Sequence, residues 1–193
     1  INSNIEIIDV NNIKPGVLDP FYVLDEIDTT IILTICDIIV GGMSEMQRLA
    51  VAPIIKDFLN MSKSDPAVTF KKFADYLFAN PKEEAQVIGN ALLLNDSTKY
   101  GKLIFGDGNI KHRGKKLNIG NKNAVISILG MELPRNENPK ADECLNAAVV
   151  YILCSLIKTT LEVNSATKNT KIPTVLFFDE CHVLMQSQQI TEL

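Results

Sequence analysis

The stretch that most constrains this chain is Thr174-Val175-Leu176-Phe177-Phe178-Asp179-Glu180, an apolar run that stops at two adjacent carboxylates. An uninterrupted apolar run of this length fits a strand buried on both faces of a parallel sheet. Its carboxyl end is where open α/β sheets bind ligands. Acids placed there can serve a nucleoside triphosphate: Asp179 by helping to hold its magnesium, Glu180 by polarising the attacking water. A second reading of the same residues is structural. Asp-Glu after a strand can open the next helix, where acids favour the positive end of the dipole.

The preceding segments turn that strand into the end of a βαβ unit. Ala124–Leu129 reads as a strong buried strand, and Gly130–Lys140 as a crossover. A helix is expected from about Ala141 to Val163, with Leu145, Ala148, Val149, Ile152, Leu156 and Ile157 on one broad apolar face. Strand, helix, strand implies parallel pairing with a right-handed connection.

The amino-terminal part is organised differently. Ile5–Val10 reads as a strand, and Gly16-Val17-Leu18-Asp19-Pro20-Phe21 as an extended, sharply directed loop, because Pro20 drives Asp19 out of the helical region. From 28 to 94 the pattern is helical throughout. Asp28 caps a first helix that Gly41-Gly42 ends. Ser44 and Gln47 have capping-box spacing, with Pro53 expected to kink or end that helix. Thr69 caps a third helix bearing Phe70, Phe73 and Leu77. Asn80-Pro81 reads as cap and first position of a fourth, whose stripe is Val87, Ile88, Ala91 and Leu92. Between 95 and 123 the chain is polar and glycine-rich. It holds a short expected strand at Lys102–Phe105 and one basic cluster, Lys111-His112-Arg113-Gly114-Lys115-Lys116. That cluster reads as a phosphate or nucleic-acid contact, or as a solvated loop in an acidic chain.

Composition narrows the classes. Of 193 residues 46% are hydrophobic and 22% charged, enough for a core. The net charge of −4 gives no strong global field to attract nucleic acid, so any DNA contact is local or supplied by partner subunits. The four cysteines lie in or beside apolar runs with no C-x-x-C pair, which reads as buried reduced thiols. Two histidines, His112 and His182, leave no basis for a multi-histidine metal site. The most apolar helical stretch, about 147–157, is short for a bilayer, so no transmembrane helix is expected. The sequence opens on Ile1, in what already reads as a strand, and stops shortly after the acidic pair, so it is expected to be a fragment.

No G-x-x-x-x-G-K-[ST] loop occurs in these residues: Gly101-Lys102 is followed by Leu103 and Gly114-Lys115 by Lys116. A G-x-G-x-x-G fingerprint is absent as well, and Gly106-Asp107-Gly108-Asn109 reads as a tight turn. The isolated chain is therefore expected not to hydrolyse ATP, with the phosphate-binding loop upstream of Ile1.

Taken in order, the segments resemble the C-terminal ATPase domain of the conjugative-transfer and type IV secretion ATPases, the TraC-like and VirB-type proteins. Gly16–Phe21 is similar to a glycine-hydrophobic-Asn-Pro-Phe stretch of that family, with Asp19 in place of the usual Asn. The helical segment follows it. Gly101–Gly108 resembles a Gly-x-hydrophobic-Phe-x-Gly segment, and Val175–Met185 resembles the Walker B strand, acidic pair and following helix, with His182 where an aromatic residue is common. The resemblance implies an α/β fold: a partial RecA-like P-loop NTPase core, mostly parallel, formed by 1–27 and 95–193, with an all-helical insertion at 28–94. It implies an ATP- and Mg2+-dependent motor in the complete protein. Asp179 would sit at the magnesium and Glu180 would act as catalytic base, both binding the nucleotide. It also implies a hexamer working with secretion-channel proteins at the cytoplasmic face of a membrane. Arg48, Arg113 and Arg135 match no arginine-finger motif and read as surface residues. Alternatives are an FtsK/HerA-type DNA translocase, a helicase, since Asp179–His182 spells DECH, or a non-catalytic scaffold.

Overall fold

The computed structural model describes residues 5–65, 67–117, 119, 123–136 and 138–167. The expected acidic-tipped strand, 174–180, with Asp179 and Glu180, lies outside the described residues. Two strands, β1 (Ile5–Asp9) and β2 (Asn123–Ser127), pair in parallel, Ile5 opposite Asn123 and Asp9 opposite Ser127. Between them the chain forms α1 (Pro20–Val23), α2 (Thr29–Val40), α3 (Glu45–Ser62), α4 (Phe70–Phe78), α5 (Glu83–Leu93) and α6 (Gly101–Phe105). The long helix α7 (Ala141–Thr167) follows β2. The mixed α/β class with parallel pairing is as the sequence implies, and it fits a partial P-loop NTPase domain.

The caps read from sequence are present. Asp28 accepts a hydrogen bond from the amide of Ile31, and Gly41 ends α2 with φ 77°. Ser44 and Gln47 form a reciprocal capping box on α3, and Thr69 accepts from the amide of Lys72. Other expectations are corrected. Residues 16–21 are not wholly extended: Asp19 is non-helical as its proline demands, but Pro20 then occupies the first turn of α1, where its fixed φ and missing N–H suit a helix start. Helix α3 runs through Pro53, which lies on the exposed side, where water can serve the carbonyl that loses its donor. Asn80 caps no helix. Its side chain accepts from the amide of Lys82 and shapes the turn before α5. Lys102–Phe105 is helical, not a strand: Thr98 takes the amide of Gly101 on its hydroxyl and that of Lys102 on its carbonyl. A short apolar run such as Leu103–Phe105, buried throughout, looks the same in either state, so its pattern does not discriminate.

Helix α5 buries Ala85, Ile88, Gly89 and Leu92, whereas Val87 is 49% exposed. The rotation follows from Gly89, where α5 meets the backbone of α4. A Cβ built there would lie 2.2 Å from the Phe78 nitrogen and 2.7 Å from the Leu77 carbonyl carbon. In an ordinary helix interior, Gly→Ala stabilises by about 1 kcal/mol. Here Gly89→Ala is expected to reverse that sign and destabilise by about 1–3 kcal/mol, because the neighbouring atoms are backbone and the helices must part. A urea titration of the variant checks the sign.

Phe70, Phe73, Phe105, Ile32, Ile35, Ile55 and Leu77 are fully buried, and one contiguous hydrophobic cluster takes in α2–α5, α6 and α7. Helix α7 packs on α2, with Ala147–Leu153 buried throughout. It is longer than the apolar stretch measured in the sequence. By length and composition its 141–162 portion could cross a membrane, but 72% of its most apolar window is buried inside this fold, as in a core helix. Strand β2 is not the buried strand expected from Ala124–Leu129. Val125 is 52% and Leu129 82% exposed, as are Ile5 and Ile7 on β1 (57% and 72%). A strand is buried on both faces only when layers cover both, and the described helices cover one.

Candidate functional site

At the carboxyl ends of β1 and β2 a polar network joins three segments. Asp9 accepts from the backbone amide and side chain of Asn11. Asn11 donates to the carbonyl of Leu129, 3.0 Å away, just beyond β2. Its Oδ1 accepts from Lys99 Nζ at 2.6 Å and from the Tyr100 hydroxyl at 3.0 Å, so the start of α6 is tied to both strand ends. Beside this network opens a groove of about 1070 Å³ bordered by Lys99, Tyr100, Gly130, Glu132, Asp142 and Asn146. Asn146 donates to the Glu132 carbonyl at 2.9 Å. This is the edge at which open α/β sheets bind ligands.

The described residues at this edge do not fit a magnesium triphosphate. A phosphate cradle needs unpaired amides at a helix start. Among the described residues the one long helix opening here is α7, and its own acids occupy that position: Glu143 accepts from the amide of Lys140, and Asp142 from that of Glu143. Among the described residues no group of three or more His, Cys, Asp or Glu could hold a metal ion.

The structure brings together two segments that the sequence could only place in order. The amide of Gly16 donates to the carbonyl of Lys102 (2.8 Å) and that of Leu18 to the carbonyl of Leu103 (2.9 Å), laying 16–19 along α6. Gly16 has φ 71°, and a Cβ on it would sit 3.4 Å from the Gly106 Cα. Asp19 then points inward, 1% exposed. It accepts from the amides of Phe21 (3.0 Å) and Phe70 (3.1 Å), the latter at the start of α4. The Arg113 guanidinium donates to it at 3.1 Å. Burial pushes the Asp19 carboxyl up to about 7, against the pull of Arg113 and the two amides. Arg113 also stacks over Tyr22, 4.4 Å from the ring centre, and the Tyr22 hydroxyl donates to the Gly114 carbonyl.

Arg113 is therefore not a surface residue: its side chain is 10% exposed. No linear signal pairs positions 94 residues apart, so sequence reasoning missed it. The rest of the basic cluster is partly matched by nearby acids. His112 Nδ1 lies 2.6 Å from Asp107, whose carboxyl that contact pulls below its usual range, and Lys116 pairs with Asp25. Arg48 bonds Asp37 (2.8 Å) and the Met43 carbonyl (3.2 Å), closing the α2–α3 connection. Arg135 is exposed.

Comparison with curated proteins and with solved structures gives no match. A family model described as an AAA-like domain matches residues 1–193. A match over the whole length, on an α/β fold with parallel strands, shows that the chain belongs to the AAA-like domain family, a family of P-loop ATPases.

Proposed function

We propose that this chain is the acidic-strand half of the nucleotide site of an ATP-driven motor for conjugative DNA transfer or type IV protein secretion. The observation that carries the reading is the family match over 1–193, which includes the apolar run ending at Asp179 and Glu180. In this reading Asp179 holds the magnesium of the nucleotide and Glu180 polarises the attacking water. The phosphates are held by a glycine-rich loop outside these residues, since no G-x-x-x-x-G-K-[ST] sequence occurs among the 193. The motor is a hexamer at the cytoplasmic face of a membrane, with 28–94 as a helical insertion in a RecA-like core. Lys111 and Lys115, for which no acid partner is seen among the described residues, are its candidates for a DNA backbone contact. The missing phosphate loop also favours a second reading, a non-catalytic scaffold.

Nucleotide affinity of the full protein separates the two. Asp179→Ala is expected to weaken ATP binding about 10–100-fold in magnesium, the usual cost of removing a group that orients a metal ion, and to leave binding in EDTA unchanged. Equal affinity of wild type and variant in magnesium would remove Asp179 from the site. Wild-type protein that binds no nucleotide would favour the scaffold.

A further inference from the structure

Asp19 and Arg113 sit where three segments meet, outside the groove at the strand ends. Asp19 belongs to the loop before α1 and Arg113 to the loop after α6. The Asp19 carboxylate also receives the first amide of α4, so one side chain links the helical segment to two loops of the α/β part. The loop that carries Arg113 begins at two glycines with positive φ, Gly106 (65°) and Gly108 (79°), a backbone that can pivot.

We propose that Asp19 and Arg113 form a proton-operated clasp: ionised, Asp19 holds the 106–116 loop against the start of α4, and protonated, it keeps its backbone partners but releases Arg113. A carboxyl protonated on Oδ2 keeps Oδ1 for the amide of Phe21, and the acceptor capacity left on Oδ2, which Phe70 and Arg113 share when the group is ionised, goes to the fixed amide of Phe70. The neutral group no longer attracts the guanidinium, and a buried ion pair stripped of one charge is unfavourable. Tyr22, stacked on Arg113, is the surface along which the released side chain moves outward.

The other charged groups described near the clasp have partners of their own or lie apart from it, and Lys116 of the loop pairs with Asp25. On α4, Lys71 pairs with Asp96, and in the loop His112 pairs with Asp107. Lys14 lies beside Gly114, and the Lys102 side chain is exposed on α6. None of these shares the Asp19 carboxylate. Burial brings proton uptake by Asp19 to about pH 7, from 3.8 for a free carboxyl. Between those values the folded state holds a proton that the unfolded chain lacks. This group's contribution to stability is therefore full below pH 3.8 and is lost as pH rises through about 7. The clasp closes on the alkaline side at a cost in global stability, and local order in the loop moves opposite to the whole.

Hydrogen exchange of the full protein, corrected for intrinsic rates, reads the clasp directly. Amides of 106–116 are expected to exchange about tenfold more slowly at pH 8 than at pH 6, the factor a charge-assisted hydrogen bond supplies. Asp19→Asn and Arg113→Gln should each abolish that difference, with the start of α4 still protected in Asp19→Asn. His112→Gln, which removes the His112–Asp107 contact of the loop, should retain it. No pH difference in wild type, the same difference in Asp19→Asn, or its loss in His112→Gln would overturn the proposal.

Discussion

Glu180→Gln in the full protein is expected to leave ATP affinity near wild type and to lower turnover by about 10²–10⁴-fold, the usual contribution of a positioned general base. In its proposed role Glu180 acts on the attacking water. A glutamine keeps the shape and the hydrogen-bonding reach of the side chain but carries no negative charge and takes up no proton from water. Binding energy comes chiefly from the phosphates and magnesium, whereas the charge of Glu180 acts on the attacking water in this reading, so affinity and rate separate. Steady-state turnover together with equilibrium nucleotide binding checks this. Parallel loss of both in a folded variant would give Glu180 a structural role at the start of the following helix, the alternative that the sequence leaves open. Unchanged turnover would remove it from the chemistry.

The second large effect concerns the core. Phe73 is fully buried and meets Phe58 edge-on at 5.4 Å, Phe21 at 6.0 Å and Phe70 at 5.7 Å. Phe21 comes from α1, Phe58 from α3, and Phe70 and Phe73 from α4, so this aromatic group ties the loop bearing Asp19 to the helical segment. Phe73→Ala removes the ring and leaves a cavity whose walls belong to three elements, which limits collapse. The expected loss is about 3–5 kcal/mol. For a domain of ordinary stability, about 5–15 kcal/mol, that is a large fraction of the total. Chemical denaturation with a constant slope would measure it as a shift in midpoint. Phe73→Leu should cost less, because part of the volume stays filled. A loss of about 0.5 kcal/mol or less for Phe73→Ala, the range of ordinary surface substitutions, would show that the cluster repacks freely.

The two effects probe different parts of the chain. Phe73 lies in the helical segment, and its loss should lower stability without a specific effect on catalysis in the fraction that stays folded. Glu180 lies at the end of the apolar run, and its replacement should leave stability near wild type. A Glu180→Gln variant with a markedly lower denaturation midpoint would indicate that the acid is held in a structural network.

Helix caps were the most legible part of the fold. Asp28, Ser44 with Gln47, Thr69 and Gly41 act within four residues of sequence, and their geometry follows from local backbone chemistry alone. Element type was less legible at 102–105 and helix phase less legible at 83–93. There the outcome depends on what the segment packs against: Gly89 against the α4 backbone and Thr98 at the start of α6. Burial of 124–129 was misjudged for the same reason, since an apolar pattern states what a strand can bury, not which of its faces is covered. The acidic pair at 179–180 was legible as a motif, and the family match covers it, but its geometry is outside the described residues.

By itself the sequence determined the caps of α2 and the starts of α3 and α4, the α/β class with parallel strands, and the order of segments that the family match covers. These depend on short-range periodicity and on the linear succession of elements. Only the tertiary structure decided that Asp19 is buried, that Arg113 reaches it across 94 positions, and that the amide of Phe70 completes the junction. The fate of a charged side chain depends on the desolvation and the partners it meets after folding, and neither is written in the residues next to it.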